Sequence, residues 1–164
     1  MSRAVLIHAA KINDKFGPLG ASMSMNYMAV GLPALGAALQ SAGHQVELLH
    51  LGVQHKAEPD WDLEAHIRQA QPAVVGFSLH WHPQSWDTIQ AVRAVRRGAP
   101  EAFIVLGGFT ASAMHEDILR TVPEVDGVIR GDGEKALLAL IAALESGADL
   151  DTVPNLSHRG GEHL

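Results

Sequence analysis

The chain has 164 residues, 47% of them hydrophobic and 18% charged, enough for one domain with a sizeable core and too few for two large ones. Twelve basic residues stand against 18 acidic ones, for a formal charge of -6, so no cationic field draws the chain to phosphate polymers or anionic lipid. The absence of cysteine excludes disulfides, thiolate zinc sites, iron–sulfur clusters and cysteine nucleophiles.

No apolar run approaches the roughly 20 residues a spanning helix needs, and Met1-Ser2-Arg3 leads into a strand-like run rather than a signal-peptide core. The expectation is a soluble, cytoplasmic protein that binds neither nucleic acid nor membrane.

In chain order, Ala4 to His8 reads as a first strand. A connection from Ala9 to Met28 follows, rich in Gly, Ser, Asn and Met, and loops that long in compact domains are usually functional. The first helix is expected from Met28 to Ala42, carrying Leu32, Leu35 and Leu39 and stopping at Gly43. Val46 to Leu51 forms a second strand; Leu63, Ile67 and Ala70 give a short helix its apolar stripe; Ala73 to Ser78 is the third strand. The helix from Gln84 to Arg97 sets Ile89, Val92 and Val95 against Arg93, Arg96 and Arg97, which read as a solvated face. The remaining strands are Phe103 to Leu106 and Gly127 to Arg130, separated by a helix near Ser112 to Thr121. A last helix carries Leu137, Leu140, Ile141 and Leu144 and ends at Gly147.

Strands that are near-continuously apolar in all but the second, alternating with helices, predict an α/β fold, a doubly wound (Rossmann- or flavodoxin-like) five-stranded parallel sheet in the order 2-1-3-4-5. Residues 1–148 make the domain, and 149–164 read as a C-terminal linker or tail.

In such folds ligands bind at the carboxyl ends of the strands. There the sequence places Ser78-Leu79-His80-Trp81-His82, then Gly107-Gly108-Phe109-Thr110, then Gly131-Asp132-Gly133-Glu134. A Gly-Gly pair either solves a tight turn or removes side chains so that a flat ligand can approach the backbone. The Gly131 to Ala136 stretch matches G-x-G-x-x-A, but follows the last strand and sets two carboxylates where a pyrophosphate would lie. Asp132 reads more simply as the N-cap of the last helix. His80 and His82 share a face on an extended chain, yet two ligands do not make a metal site. Ser22, Ser24 and Ser78 lack an identifiable base and a G-x-S-x-G context, so hydrolase chemistry is unsupported.

The segments in combination carry more. Gly31-Leu32 through Leu39, Gly43-His44-Gln45-Val46, Val75-Gly76-Phe77-Ser78, Leu106-Gly107-Gly108-Phe109-Thr110-Ala111-Ser112 and Val125 through Glu134 occur in one order. In that order they resemble the cobalamin-binding domain at the N-terminus of cobalamin-dependent radical SAM enzymes. The tail, Val153 to Arg159, resembles the linker into those enzymes' catalytic barrel.

The resemblance implies that Ser78 and Leu79 meet the buried dimethylbenzimidazole tail of cobalamin, which slides along Gly107 and Gly108 beside Phe109 and Thr110. It implies that Gly131, Asp132, Gly133 and Glu134 close over the tail or ribose, and that Met23, Met25 and Tyr27 lie by the corrin. The cofactor would be hydroxo- or methylcobalamin, and no residue here would be catalytic or ligate a metal.

Two departures qualify the match. The D-x-H-x-x-G signature of methionine-synthase-like domains is missing: the comparable loop reads Asp14-Lys15-Phe16-Gly17, with no histidine between Ala9 and Gln40. That implies base-off cobalamin without a histidine beneath cobalt, with His8 and His80 as alternatives. The cluster motif C-x-x-x-C-x-x-C cannot exist without cysteine, so a radical SAM catalytic domain in cis or trans is the implied partner. Competing readings are a flavodoxin-like interaction or signalling module without cofactor, and a flavin or nucleotide binder.

Overall fold

A computed structural model describes residues 1–9 and 29–160. The expectations placed on the first loop, including Asp14 to Gly17, Met23, Met25 and Tyr27, lie outside the described residues.

The chain opens with β1 (Arg3–His8), α1 (Gly31–Ser41), β2 (Gln45–His50), α2 (Leu51–Ala57) and α3 (Leu63–Ala70). It continues through β3 (Val74–Ser78), a 3₁₀ turn at His82–Gln84, α4 (Ser85–Gly98) and β4 (Phe103–Gly107). α5 (Phe109–Ala113), α6 (His115–Thr121), β5 (Gly127–Ile129), α7 (Glu134–Ser146) and β6 (Leu156–His158) complete it. The sheet order is β2-β1-β3-β4-β5-β6. β1 to β5 are parallel in the expected order, and β6 adds an antiparallel edge to β5.

Alternation along the strands divides the core in two. Val5, Ile7, Val75, Phe77, Ile104 and Leu106 pack with Ile67 of α3, Val92 and Val95 of α4 and Leu119 of α6. Leu6, Val74, Val105 and Ile129 face the other way, against Leu32 and Leu39 of α1 and Leu137, Leu140 and Ile141 of α7.

Several local expectations are corrected. The helix α2 was not foreseen; His50 caps it, its Nδ1 accepting from the Val53 amide at 3.3 Å. The expected helix near 112–121 is two short ones that meet at Met114. Gly133, not Asp132, is the N-cap of α7, and no side chain caps that end. Nor is Arg96 of α4 simply solvated. Arg96 donates to the carbonyls of Pro100, Ala102 and Glu124 and to Asp126 Oδ2. That Asp126 oxygen also accepts from the Ile104 amide at 2.7 Å, which ties α4 to β4 and the entry to β5.

Candidate functional site

Parallel register sets His50, His8, Ser78 and Gly107 side by side at the strand ends. Two residues lower on the same face, roughly 6–7 Å down the strands, runs the row Leu48, Leu6, Gly76, Val105 and Gly127. Between this face, α1 and α7 lies a cavity of about 560 Å³, within the usual range for small-molecule sites. Its walls are Leu6, Leu32, Leu35, Val105, Ile129 and Leu137. Its mouth is formed by Ser78, His80, Gly107, Gly108, Phe109, Ser112 and the turn from Gly131 to Glu134.

The sequence-derived site residues therefore converge on one cavity, except for Leu79 and Thr110. The Leu79 side chain belongs to the core on the opposite face, while its backbone pairs with Gly107 and Ala111. Thr110 is buried and its hydroxyl donates to the His80 carbonyl at 2.9 Å. Both hold the mouth in shape from behind. Ser112, which the sequence reading quoted without placing it in the site, accepts from the Gly131 amide at 3.0 Å and joins α5 to the last turn.

The glycine pair divides into two roles. Gly108 has φ +105°, and a Cβ there would stand 2.6 Å from His80 Nδ1 and 2.8 Å from the Leu79 carbonyl oxygen. That position needs glycine for its backbone. Gly107 has no such constraint, and a Cβ on it would meet nothing closer than the Ile129 carbonyl at 3.8 Å, so its missing side chain leaves space. The deeper space-maker is Gly76, whose Cβ would press to 2.8 Å from Leu6 Cδ2. A glycine inside the apolar run Val74-Val75-Gly76-Phe77 was the available signal, since mid-strand glycine often marks close approach.

Ser78 is 3% exposed, and its Oγ lies 3.2 Å from His80 Nδ1. Beside it His8 is fully buried. The Gln84 amide donates to His8 Nε2 at 3.4 Å and accepts from the Trp81 amide at 3.4 Å, bracing the segment that carries His80. The His8 proton then belongs on Nδ1, which has no hydrogen-bond partner among the described residues. Burial, then the nearby His50 and His80, push His8 down to about 4, so the ring is neutral at physiological pH. His82 is exposed in the 3₁₀ turn, and no group of three His, Asp or Glu among the described residues is arranged to hold a metal. No described helix is long and apolar enough to cross a membrane.

A doubly wound sheet with an apolar cavity opening at the carboxyl ends of its central strands defines a ligand-binding α/β domain. The family model of the B12 binding domain matches residues 18–141. The chain belongs to the B12-binding domain family.

Among curated proteins, the hopanoid C-3 methylase of Methylococcus capsulatus is 30% identical over 134 residues, covering 81% of this chain and 25% of that protein. The anaerobic magnesium-protoporphyrin IX monomethyl ester cyclase of Synechocystis sp. is 32% identical over 137 residues, 82% of this chain and 27% of that protein. The chain thus spans about a quarter of the length of these relatives.

Two solved structures share the fold over 96% of this chain. One is the radical S-adenosylmethionine methyltransferase TsrM from Kitasatospora setae with cobalamin and a [4Fe-4S] cluster bound (TM-score 0.75, 24% identity, 27% of that chain). The other is the cobalamin-dependent S-adenosylmethionine radical enzyme OxsB with aqua-cobalamin and S-adenosylmethionine bound (TM-score 0.76, 16% identity, 21% of that chain). The resemblance read from the sequence is upheld, and the cofactor-free module gives way to a B12-binding domain.

Proposed function

We propose that this chain is the cofactor-carrying domain of a cobalamin-dependent radical SAM methyltransferase or related enzyme, working in the cytoplasm with a catalytic domain in cis or trans. The observation that carries the reading is the cavity whose space Gly76 and Gly107 keep open beneath the strand ends. A flat base linked to a ribose suits an apolar slot with polar groups at its mouth. Ser78 would orient the base, Gly107 would let it pass, and Gly131 to Glu134 would border the ribose. Gly108, Leu79 and Thr110 would support them. Residues 1–148 would form the binding unit, with 149–164 as its tail, which first adds β6 to the edge of the sheet.

Hydroxo- or methylcobalamin bound here supplies a cobalt centre that carries a methyl group or exchanges single electrons. The chain's own part is to hold the tail away from cobalt and keep water from the base. His8 Nε2 is engaged with Gln84 beneath the mouth and His80 Nδ1 stands 3.2 Å from Ser78 Oγ, so these residues would suit a base-off cofactor held without a protein imidazole.

Gel filtration of the chain with hydroxocobalamin should leave one corrinoid per protein, and its reduced cob(II) form should give paramagnetic resonance lines unsplit by an axial nitrogen. Colourless protein after mixing or refolding with the cofactor would reject the reading. Triplet-split lines would reject its base-off part.

A further inference from the structure

The distribution of polar atoms in the cavity is uneven, and the unevenness has chemical content. Every polar side chain that lines it among the described residues, Ser78, His80, Ser112, Asp132 and Glu134, belongs to the mouth. Below the Ser78 row, Leu6 and Val105 offer only hydrocarbon, and the remaining wall residues Leu32, Leu35, Ile129 and Leu137 are hydrocarbon as well. The backbone at that depth offers no substitute, because Leu6, Gly76 and Val105 lie in parallel ladders that use their amides and carbonyls between strands. A ring that enters past Ser78 meets donors and acceptors at its near edge alone.

We propose that this cavity selects among corrinoids by the base of their nucleotide tail, accepting an apolar benzimidazole or phenol ring and rejecting a purine. The inference rests on the reading above, in which the tail occupies the cavity. Adenine carries an exocyclic amine and ring nitrogens around most of its edge, and those facing the deep walls would be stripped of water with no partner. Dimethylbenzimidazole presents two methyl groups and ring carbons there instead, and a cresol ring presents a methyl group.

The test is a comparison of four corrinoids that share the same upper ligand and differ below: dimethylbenzimidazolyl, p-cresolyl, adenyl, and cobinamide, which has no base. Dissociation constants for the 164-residue chain are measured by equilibrium dialysis. The p-cresolyl form is the main reference for the adenyl form, since its phenol ring does not ligate cobalt and no cobalt–base bond has to break.

One buried polar group left unpaired weakens binding by about 10- to 100-fold. The adenyl form is therefore expected to bind at least tenfold more weakly than the p-cresolyl form. Val105→Thr, nearly isosteric and placing a hydroxyl on the deep wall, should narrow that ratio at least threefold.

An adenyl form within tenfold of the p-cresolyl form, with both well above cobinamide, would overturn the selectivity and leave tail burial standing. An unchanged ratio in a folded Val105→Thr protein would likewise count against it. Cobinamide binding as tightly as the complete corrinoids would overturn tail burial itself, and the selectivity with it.

Discussion

On one face of the central strand β3, Val75 and Phe77 fill the space beneath α3 and α4; on the other, Gly76 stands between Leu6 and Val105 and the space beneath α1 and α7 stays open. The same five residues of strand thus build a solid core and a cavity, because alternate residues face opposite ways. Protein interiors close-pack wherever nothing prevents it. Among the described residues, a hollow lined by Leu, Val and Ile directly against one face of β3, where the other face of that strand is filled, points to an occupant, and it locates binding on one face and most of the stability on the other.

The strongest way to break this division is Ile67→Ala in α3, on the solid face. Its fully buried side chain predicts a loss of about 2–5 kcal/mol in urea denaturation, with cobalamin retained as by wild type under folding conditions. Loss of cofactor from the folded variant would show that the two faces are not separable.

A second pair sharpens the contrast within the cavity. Gly76→Val should leave the far-UV spectrum native while weakening cobalamin by ~5- to 150-fold, the effect of about 1–3 kcal/mol of overpacking in a tight site. Gly108→Ala should instead lower the unfolding free energy by about 1–3 kcal/mol with or without ligand, since the strain is in the backbone at φ +105°. Wild-type binding by Gly76→Val would remove the cavity as the place of the tail.

The effect that develops only on acidification concerns the boundary between the two regions. His8 has its pKa lowered from 6.5 to about 4, so between those values the unfolded chain binds a proton the folded one refuses. Stability is whole above about pH 6.5, falls as the pH drops toward 4, and below that changes no further on this account. The loss is about 2 kcal/mol by pH 5 and about 3 kcal/mol below pH 4. His8→Gln, compared with wild type by thermal unfolding across that range, should be less steep; parallel curves would deny His8 this role.

The sheet was legible because its strands are apolar runs bounded by Gly, Pro and Asp, and the mouth because Ser78, Gly107 and Gly131 to Glu134 follow those runs directly. The walls were not. Leu6 and Val105 look like any core residue until pairing register shows that they flank Gly76, and register is a property of neighbouring strands. β6 was missed because Leu156–His158 is three residues long and has no period to read. Arg96 looked like its solvated neighbours because its partners include carbonyls on other elements, up to 28 residues away.

The antiparallel run of β6 determines where the chain goes next. β5 rises toward the cavity mouth, so β6 carries the backbone back down, and Arg159 fastens it at the bottom. The Arg159 amide donates to the Asp126 carbonyl, and its guanidinium donates to those of Val125 and Val122. A pull on the tail is therefore delivered to the turn that enters β5, the length of the sheet away from Ser78 and Gly107. Under the proposed function, a catalytic domain joined at that end would hold this one by its floor, like a cup by the foot, and could swing without levering the opening apart.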